Sequence, residues 1–231
     1  MTKTAIILFA EAHNKEADKK RFVSSSSSVN RQISRTLTSY FYQLAKEVHP
    51  DVFLISSLDQ RGNSFGERLG NAFNDLYDRG FENVVCIGND TTALTSRHLA
   101  DAIAMVEEGR IALGPSRDQG AYLIGLPKDA FSRTKFINIR WQSRYTLLDL
   151  QHYCRFYQDS VVTFEVFSDW DNPLAMFYAL NPKNKLTKII QEFIAYISLR
   201  NQYFSPQVIA QDRENKFPRR GPPMAAFQAR N

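Results

Sequence analysis

The sequence predicts an α/β fold with three layers, in which helices cover both faces of a mostly parallel mixed sheet. Short apolar runs of strand length alternate with amphipathic helical patterns up to about residue 115, and this alternation is typical of parallel sheets. Two of the runs break at glycine, Gly88 and Gly114, and each is followed by a turn that carries an acid. Strict alternation then ends, which indicates one reversed strand.

The first elements are a buried strand, a long loop and a helix. The continuous apolar run from Thr4 to Ala10 predicts a strand that is covered on both faces. The polar stretch from Glu11 to Asn30, with consecutive serines at 24–28, predicts a long loop. Apolar residues recur at three- and four-residue spacing from Arg31 to Val48 and predict a helix, which Pro50 ends.

Capping residues mark the starts of the next two helices. Ser64 is followed three residues later by Glu67, the spacing of a capping box, and Gly80 predicts the end of that helix. Thr95 is a second candidate N-cap, for a helix that ends at Gly109. Further strands are predicted at 52–55, 84–87, 111–113 and 121–126, helices near 145–156, 174–180 and 185–199, and apolar runs at 136–139 and 161–167.

The chain is expected to comprise an α/β domain at residues 1–200 and a basic, proline-containing tail at residues 201–231. No apolar run is long enough for a transmembrane helix, and the N-terminal run lacks a signal cleavage site, so a cytoplasmic protein is expected. Much of the net charge of +5 lies in the tail. Cys86 and Cys154 are not expected to form a disulfide or a zinc site.

Several familiar chemistries are excluded by the absence of their motifs. The chain has no P-loop, no glycine-rich dinucleotide fingerprint after the first strand and no G-x-S-x-G nucleophile elbow. Its histidines are scattered without metal-ligand spacing. The remaining chemistry consists of acids at strand ends and bases in a loop.

The acids Asp90 and Asp118 follow the third and fourth predicted strands. Because the carboxyl ends of parallel strands meet at one edge, we expect the two side chains to face one crevice, where carboxylates suit Mg²⁺. The alternative is structural, with Asp90 capping the next helix and Asp118 shaping a turn. A later pair, Asp169 and Asp171, follows the apolar run at 161–167 and is expected to reach the same edge.

The loop after the first strand is rich in cations, including Lys15, Lys19 and Arg21. A loop of this kind at the carboxyl edge of a sheet suits a polyphosphate, and arginine favours forked contacts with phosphate oxygens. The alternative is a solvated charged loop with no ligand.

Ordered short motifs run through residues 4–180. They are Gly62-Asn63-Ser64-Phe65-Gly66-Glu67-Arg68-Leu69 with Ala72-Phe73, then Ile87-Gly88-Asn89-Asp90-Thr91-Thr92-Ala93-Leu94, then Gly114-Pro115-Ser116-Arg117-Asp118-Gln119-Gly120-Ala121-Tyr122-Leu123-Ile124-Gly125-Leu126, then Trp141, then Asp169-Trp170-Asp171-Asn172-Pro173. In this order the chain resembles the nucleotide-diphospho-sugar transferases of GT-A type. Within them it is most similar to a bacterial branch known as glycosyltransferase-like proteins of unknown function.

The resemblance implies a Rossmann-like GT-A fold and a set of site residues. By this likeness Asp90, together with Asp169 or Asp171, would hold Mg²⁺ or Mn²⁺ against the phosphates of a nucleotide. Asp90 and Asp118 would be the catalytic acids. The likeness further implies nucleotide or phosphate binding by Glu67 and Arg68, and an acceptor side formed by Gln119, Gly120 and Trp141.

The chain departs from the pattern of the branch at several positions. Thr92 replaces a proline, Gln119 replaces the first of two glycines, and Ala121 replaces a tyrosine. If the first glycine serves to provide a positive φ, a glutamine there is strained by about 1 kcal/mol or more. The basic loop also lacks the sequence that the branch has before its Lys-Thr-Arg-Leu.

The sequence therefore predicts a metal-dependent transferase that moves a glycosyl or a nucleotidyl group from an activated nucleotide to a small acceptor. The partners expected are a nucleotide sugar or a nucleoside triphosphate and a small molecule, without a membrane span. The alternative is a nucleotide- or metabolite-binding protein without catalysis on the same fold. Nucleic-acid binding through the basic tail depends on charge alone and is not expected.

Overall fold

A computed structural model describes residues 3–12, 27–156 and 161–168, all within the first of two compact units, Met1–Glu192. The predicted basic loop with Lys15, Lys19 and Arg21 lies outside the described residues. So do the late acids Asp169 and Asp171, the predicted helices after residue 170 and the tail from residue 201.

The described elements alternate as the sequence predicts. The prediction of a loop up to Asn30 is wrong at its end, because the first helix begins at Ser27 and not at Arg31. The strands are β1 (Thr4–Ala10), β2 (Val52–Ser56), β3 (Asn83–Ile87), β4 (Ile111–Pro115), β5 (Ala121–Pro127) and β6 (Val161–Thr163). The helices are α1 (Ser27–Val48), α2 (Phe65–Asp78), α3 (Ser96–Glu107), α4 (Arg133–Ile137) and α5 (Thr146–Cys154), with a 3₁₀ turn at Lys128–Ala130.

The strands form one mixed sheet in the order β2-β1-β3-β5-β4-β6. β1 pairs in parallel with β2 and β3, and β4 pairs in parallel with β6. β5 is antiparallel to both of its neighbours, β3 and β4. The predicted mixed sheet with one reversed strand is confirmed, and β3 and β4 both end at the edge where β5 begins.

Helices cover both faces of the sheet. One face of β1, with Ala5 and Ile7, packs into an apolar cluster with α2, α4 and α5. The opposite side of β4 and β5 packs under α3, because a side chain at Gly125 would contact Val106 and Ala112. Alternate residues of the strands are thus buried against different helices, and the three-layer prediction is confirmed.

Both predicted N-caps are present. The Ser64 side chain accepts from the backbone N–H of Glu67, and the Glu67 side chain accepts from the cap backbone in return. Thr95 caps α3 in the same reciprocal way with His98, which takes the position that glutamate usually holds. These caps set where α2 and α3 begin relative to the strands before them.

Two apolar runs take forms that the sequence pattern does not separate. The run at 136–139 lies in and after the short helix α4, where Phe136 is fully buried and Ile139 nearly so. A short apolar run suits a buried helix as well as a strand. The run at 161–167 pairs as a strand only to Thr163, and a further bridge joins Ser116 to Phe167.

No helix in the described part of the chain is long and apolar enough to cross a membrane.

Candidate functional site

The loop after β3 carries Asp90 at the carboxyl edge of the sheet. Asn89 is buried, and its side-chain amide donates to the Thr38 hydroxyl of α1 over 2.9 Å. Asp90 itself is half-buried. Its Oδ1 lies 3.1 Å from the position that a Cβ on Gly88 would occupy, so the carboxyl group folds back over its own turn. The loop is therefore fixed to α1 beside a half-buried carboxylate.

The loop after β4 is a tight hairpin turn that Asp118 shapes. Asp118 is exposed, and its Oδ1 accepts from the Ser116 hydroxyl at 2.5 Å and from the Gly120 backbone N–H at 3.0 Å. The Gln119 N–H donates to the Ser116 carbonyl, and the Ser116 N–H donates to the Gly120 carbonyl, each at 3.1 Å. This pattern is that of a hairpin loop whose third residue takes the left-handed conformation.

Gln119 is that third residue, with a φ of +72°. The position therefore has the positive φ for which the related sequences use a glycine. The glutamine adopts a backbone conformation that glycine adopts more easily. Its carbonyl accepts from the Leu147 N–H at the start of α5 over 2.8 Å. Next to it, a Cβ on Gly120 would lie 2.9 Å from the Ser116 hydroxyl and 3.1 Å from Asp118 Oδ1, so a side chain here would displace the two groups that hold the turn.

The two acidic turns lie at the same edge, separated by the start of β5. The Gly88 N–H donates to the Tyr122 carbonyl over 3.2 Å, which joins the β3 loop to β5. Because neighbouring strands are about 4.8 Å apart, the ends of β3 and β4 are about 10 Å apart across β5. A ligand of the size of a nucleotide spans that distance.

The segment after β6 runs alongside the Asp118 turn. Phe167 donates its N–H to the Pro115 carbonyl at 3.2 Å and accepts from the Arg117 N–H at 2.9 Å. Its ring stacks on Tyr122, with centroids 4.9 Å apart, and contacts the His98 ring edge-on at 5.2 Å. The described chain therefore arrives at this edge two residues before Asp169.

The carboxyl ends of β1 and β2 are joined by one glutamine that also holds Arg68. The Gln60 amide donates to the Ala10 carbonyl at 3.0 Å and to the Ile55 carbonyl at 3.2 Å. Its Oε1 accepts from the Arg68 Nε at 3.2 Å. The guanidinium of Arg68 is therefore fixed at the edge where the first loop begins, and among the described residues it has no carboxylate partner.

Glu67 is engaged in the helix cap rather than directed into the edge. Its Oε2 accepts from the Asn63 N–H at 2.6 Å and from the Ser64 N–H at 3.3 Å. These two backbone N–H groups, with Asn63 contributing most, lower the pKa of the Glu67 carboxyl below its usual range. The carboxylate thus stabilises the start of α2, which positions the adjacent Arg68.

Trp141 and Gly66 form one packing contact. A Cβ on Gly66 would lie 2.5 Å from Trp141 Cδ1 and 2.7 Å from the Ile137 carbonyl. The indole N–H donates to the Phe136 carbonyl at 2.9 Å, and the ring packs on Phe65 at 5.6 Å between centroids. The absence of a side chain at Gly66 therefore makes room for the indole of Trp141.

No group of three metal-ligating acids, histidines or cysteines occurs within residues 3–12, 27–156 and 161–168. Asp90 is the one described member of the predicted ligand set, since Asp169 and Asp171 fall beyond residue 168.

The family of the chain follows from a match over most of its sheet. The model of the bacterial family described as "Uncharacterized protein conserved in bacteria (DUF2064)" matches residues 3–143, more than half of the chain. The chain belongs to the DUF2064 family. No curated protein matches the sequence.

Solved structures confirm the fold of this DUF2064 protein. A proposed nucleotide-diphospho-sugar transferase from Desulfovibrio desulfuricans has a TM-score of 0.73 at 21% identity, covering 86% of this chain and 98% of its own. The synthetase of CMP-2-keto-3-deoxy-manno-octonic acid, in complex with CTP, has a TM-score of 0.51 at 11% identity, covering 83% and 100%. The resemblance to GT-A-type nucleotide-diphospho-sugar transferases is thus confirmed at the level of the fold.

The DUF2064 protein brings together part of the predicted residue set. Asp90, Asp118, Gln119, Gly120 and Arg68 lie at the carboxyl edge of the sheet. Glu67 and Trp141 belong to the capping and packing of α2, in contacts that supply a structural role for each.

Sequence reasoning missed three residues that build the edge. Gln60 joins β1, β2 and Arg68, while Tyr122 and His98 hold Phe167. His98 had a signal, because it stands three residues after the Thr95 cap, in the position of a capping-box partner. Gln60 had none, since a loop glutamine has no periodicity or motif of its own.

Proposed function

We propose that this DUF2064 protein is a metal-dependent transferase that takes a glycosyl or nucleotidyl group from a nucleotide-activated substrate and passes it to a small acceptor. The observation that carries the proposal is that the polar features of the chain converge on one edge. Asp90 and the Asp118 turn end β3 and β4, and Arg68 is tied to the ends of β1 and β2. Ligands of open α/β sheets bind at this edge.

Arg68 is the described group that suits phosphate. Gln60 occupies its Nε, and the two terminal nitrogens of the guanidinium form no hydrogen bond or salt bridge with the described residues, so they are proposed to bind a ligand. Arginine binds phosphate oxygens through two parallel hydrogen bonds. Lys15, Lys19 and Arg21 follow β1 in sequence at the same end and are proposed to bind the remaining phosphate oxygens.

Asp90 is proposed to hold the divalent cation, Mg²⁺ or Mn²⁺, together with Asp169 or Asp171. Its carboxylate is half-buried, next to a turn that is fixed through Asn89. Carboxylate oxygens are the ligands that these cations prefer. When bound, the cation supplies charge neutralisation at the phosphates of the leaving nucleotide.

Asp118 and its turn are proposed to form the acceptor side. Ser116 and Gly120 hold Oδ1 of Asp118, so the carboxylate is oriented before a ligand arrives. A fixed carboxylate at this position orients an acceptor hydroxyl and receives its proton. Such a site works mainly by positioning and by electrostatic stabilisation.

A binding protein without turnover is the second candidate, and Gln119 favours it. The left-handed position beside Asp118 carries a glutamine, whose side chain extends into space that glycine leaves open. A glutamine in place of glycine at position 119 does not change Asp90 or Arg68, the proposed metal-binding and phosphate-binding residues. Nucleotide binding is therefore expected from both candidates and turnover only from the first.

Calorimetry with nucleoside triphosphates and nucleotide sugars, with and without Mn²⁺, tests the proposal. We expect metal-dependent binding that Asp90→Asn abolishes and that Arg68→Gln weakens about tenfold or more, the loss of one charge-assisted phosphate contact. Asp101→Asn, an exposed carboxylate on α3, is the matched control and leaves binding unchanged. Absence of nucleotide binding across the panel would reject both candidates.

Turnover separates the two candidates. Each nucleotide that binds is incubated with the protein, Mn²⁺ and a panel of small acceptors, and released nucleotide or pyrophosphate is quantified by chromatography. Release that disappears in Asp118→Asn supports the transferase. Binding without release, with or without acceptors, supports the binding protein.

A cytoplasmic location is part of the proposal. Both cysteines are free thiols in the structure, as in a reducing compartment, where nucleotide-activated substrates are also found.

A further inference from the structure

The region from residue 128 to 156 carries exposed basic and apolar side chains together. Its short helix α4 and the helix α5 are fastened to the core and to each other. Phe136 packs against Tyr153 at 5.7 Å between centroids, and the Ser132 N–H donates to the Tyr153 hydroxyl at 2.9 Å. Arg140 binds Asp149 with both its backbone N–H and its guanidinium. The outer surface is therefore presented by a fixed support.

Basic residues dominate this region. It contains Lys128, Arg133, Lys135, Arg140, Arg144 and Arg155 against two acids, Asp129 and Asp149. Asp149 is already paired with Arg140. Within the described part of the chain, no salt bridge joins the other basic residues to a carboxylate, although Arg133 lies close enough to Glu67 to help lower the pKa of its carboxyl. All of these basic residues are exposed.

Exposed apolar side chains lie among these charges. Phe156 is 71% exposed and Leu148 is 44% exposed, and exposed apolar residues are informative where they lie together with charges in one patch. Leu148, His152 and Arg155 recur at the spacing of one helix face. Lys135 lies 3.9 Å from the centroid of the Phe156 ring, which joins α4 to the end of α5. We call the surface of Lys135, Leu148, His152, Arg155 and Phe156 the basic-apolar face.

We propose that the basic-apolar face docks on the surface of an anionic phospholipid bilayer. Lys135 and Arg155 form no salt bridge with any described residue, and their charge matches the negative surface of such a bilayer, while Leu148 and Phe156 reach the boundary between headgroups and acyl chains. A protein with no membrane-spanning helix in its described part can bind in this peripheral way.

Charge alone also suits a nucleic acid, but the arrangement of the aromatic ring favours lipid. Base stacking needs an open aromatic face, and the Lys135 ammonium lies over one of the two faces of Phe156, which leaves one face at most for a base. The aliphatic Leu148 contributes to insertion among lipid chains and offers no stacking surface to a base. The exposed parts of Leu148 and Phe156 suit insertion among the lipid chains.

Vesicle sedimentation with the full chain tests the proposal. The probes are neutral phosphatidylcholine vesicles and vesicles with 30% phosphatidylglycerol, in about 100 mM and about 500 mM NaCl. We expect binding to the anionic vesicles at low salt and release at high salt, because screening weakens contacts between exposed charges. Absence of binding to anionic vesicles at low salt would overturn the proposal.

Matched variants then locate the surface. We expect the double change Phe156→Ser and Leu148→Ser to lower the partition coefficient about tenfold or more, and Lys135→Gln or Arg155→Gln about fivefold each. The controls are Leu58→Ser and Arg97→Gln, which alter an exposed leucine and an exposed arginine elsewhere. They should change binding less than twofold.

Two further results would overturn the assignment of this face to lipid. One is vesicle binding that the variants leave unchanged or that the controls reduce equally, since the contact surface would then lie elsewhere. The other is stronger binding to a single-stranded oligonucleotide with the same dependence on Lys135, Phe156 and Arg155. Urea unfolding of each variant, with an unchanged midpoint, shows that lost binding is not lost folding.

Discussion

Gln119 stands in a backbone conformation that costs a glutamine more than a glycine. Its N–H and carbonyl are both hydrogen-bonded, to Ser116 and Leu147, so the surrounding structure imposes the φ of +72°. Strain that is held in this way by neighbouring elements tends to mark functional positions. A substitution of Gln119 is therefore expected to change both the stability of the fold and the shape of the proposed acceptor side.

Replacing Gln119 with glycine should stabilise the protein by about 1 kcal/mol, because the left-handed conformation then carries no steric penalty. Urea unfolding at neutral pH measures the change. Arg117→Gly, at a position of the same turn with negative φ, is the control and should destabilise by about 0.5–1 kcal/mol. Loss of stability in Gln119→Gly would contradict the strain argument.

Gly66 is a helix residue whose missing side chain leaves room for Trp141. Alanine in a helix is usually preferred to glycine, but here its Cβ would overlap Trp141 and the Ile137 carbonyl. We expect Gly66→Ala to destabilise by about 1–3 kcal/mol, measured by urea unfolding. In a double-mutant cycle with Trp141→Leu, the double variant should lose less unfolding free energy than the sum of the losses in the two single variants. A loss equal to that sum would refute the contact.

At the scale of elements, one ion pair joins the loop before α5 to that helix. Arg140 donates to both oxygens of Asp149, at 2.7 and 2.8 Å, and its backbone N–H donates at 3.0 Å. The side-chain hydrogen bonds from Arg140 lower the pKa of Asp149 from 3.8 to about 2. The folded state thus favours the ionised carboxylate, and this stability is present above pH 3.8 and lost as the pH falls toward 2.

Asp149→Asn should therefore destabilise the protein at pH 7 by about 1 kcal/mol, a modest value because Arg140 is more than half exposed and water screens the pair. The difference from the unchanged protein should shrink as the pH is lowered from about 4 to about 2. Thermal unfolding across this pH range measures it. A difference that persists at pH 2 would show that the pair acts through geometry and not through charge.

The sequence predicted elements where a local pattern dictates them. Apolar patterns placed β1 and α1 from Arg31 onward, and the spacing from Ser64 to Glu67 correctly predicted a capping box. The first turn of α1, from Ser27, was missed because the run of serines there has no apolar periodicity. The burial of residues 136–139 involves contacts with distant elements that no local pattern contains, such as the packing of Phe136 on Phe73 and Tyr153. The sequence therefore predicted that residues 136–139 are apolar and buried, but not that part of them is helical.

The candidate site was likewise predictable only where its residues have a local sequence signal. Acids and glycine at strand ends have sequence signals, so Asp90 and Asp118 were placed at one edge of the sheet. The link from Gln60 to the ends of two strands joins residues up to 50 positions apart, and only the folded chain shows it. The motif pattern also assigned Glu67 and Trp141 to ligands, although their contacts supply local structural roles for both.

At the scale of the whole molecule, both thiols lie within the apolar cluster. Cys86 and Cys154 are buried, and burial raises the pKa of each, that of Cys154 to about 12. We expect neither to react with a thiol reagent at pH 8 while the protein is folded. Labelling should follow global unfolding, so its rate should fall when a ligand stabilises the fold. Rapid labelling of the native protein at low reagent concentration would contradict this.

The reversed strand β5 has a consequence for the order in which the sheet is assembled. β4 and β5 form a hairpin with a short loop, which closes in microseconds and at little entropic cost. The pairing of β3 with β5 joins residues 83–87 to 123–127 and encloses α3 and β4 in the loop between them, so it is the slower step. β5 therefore reaches the centre of the sheet already paired with β4 on its other side.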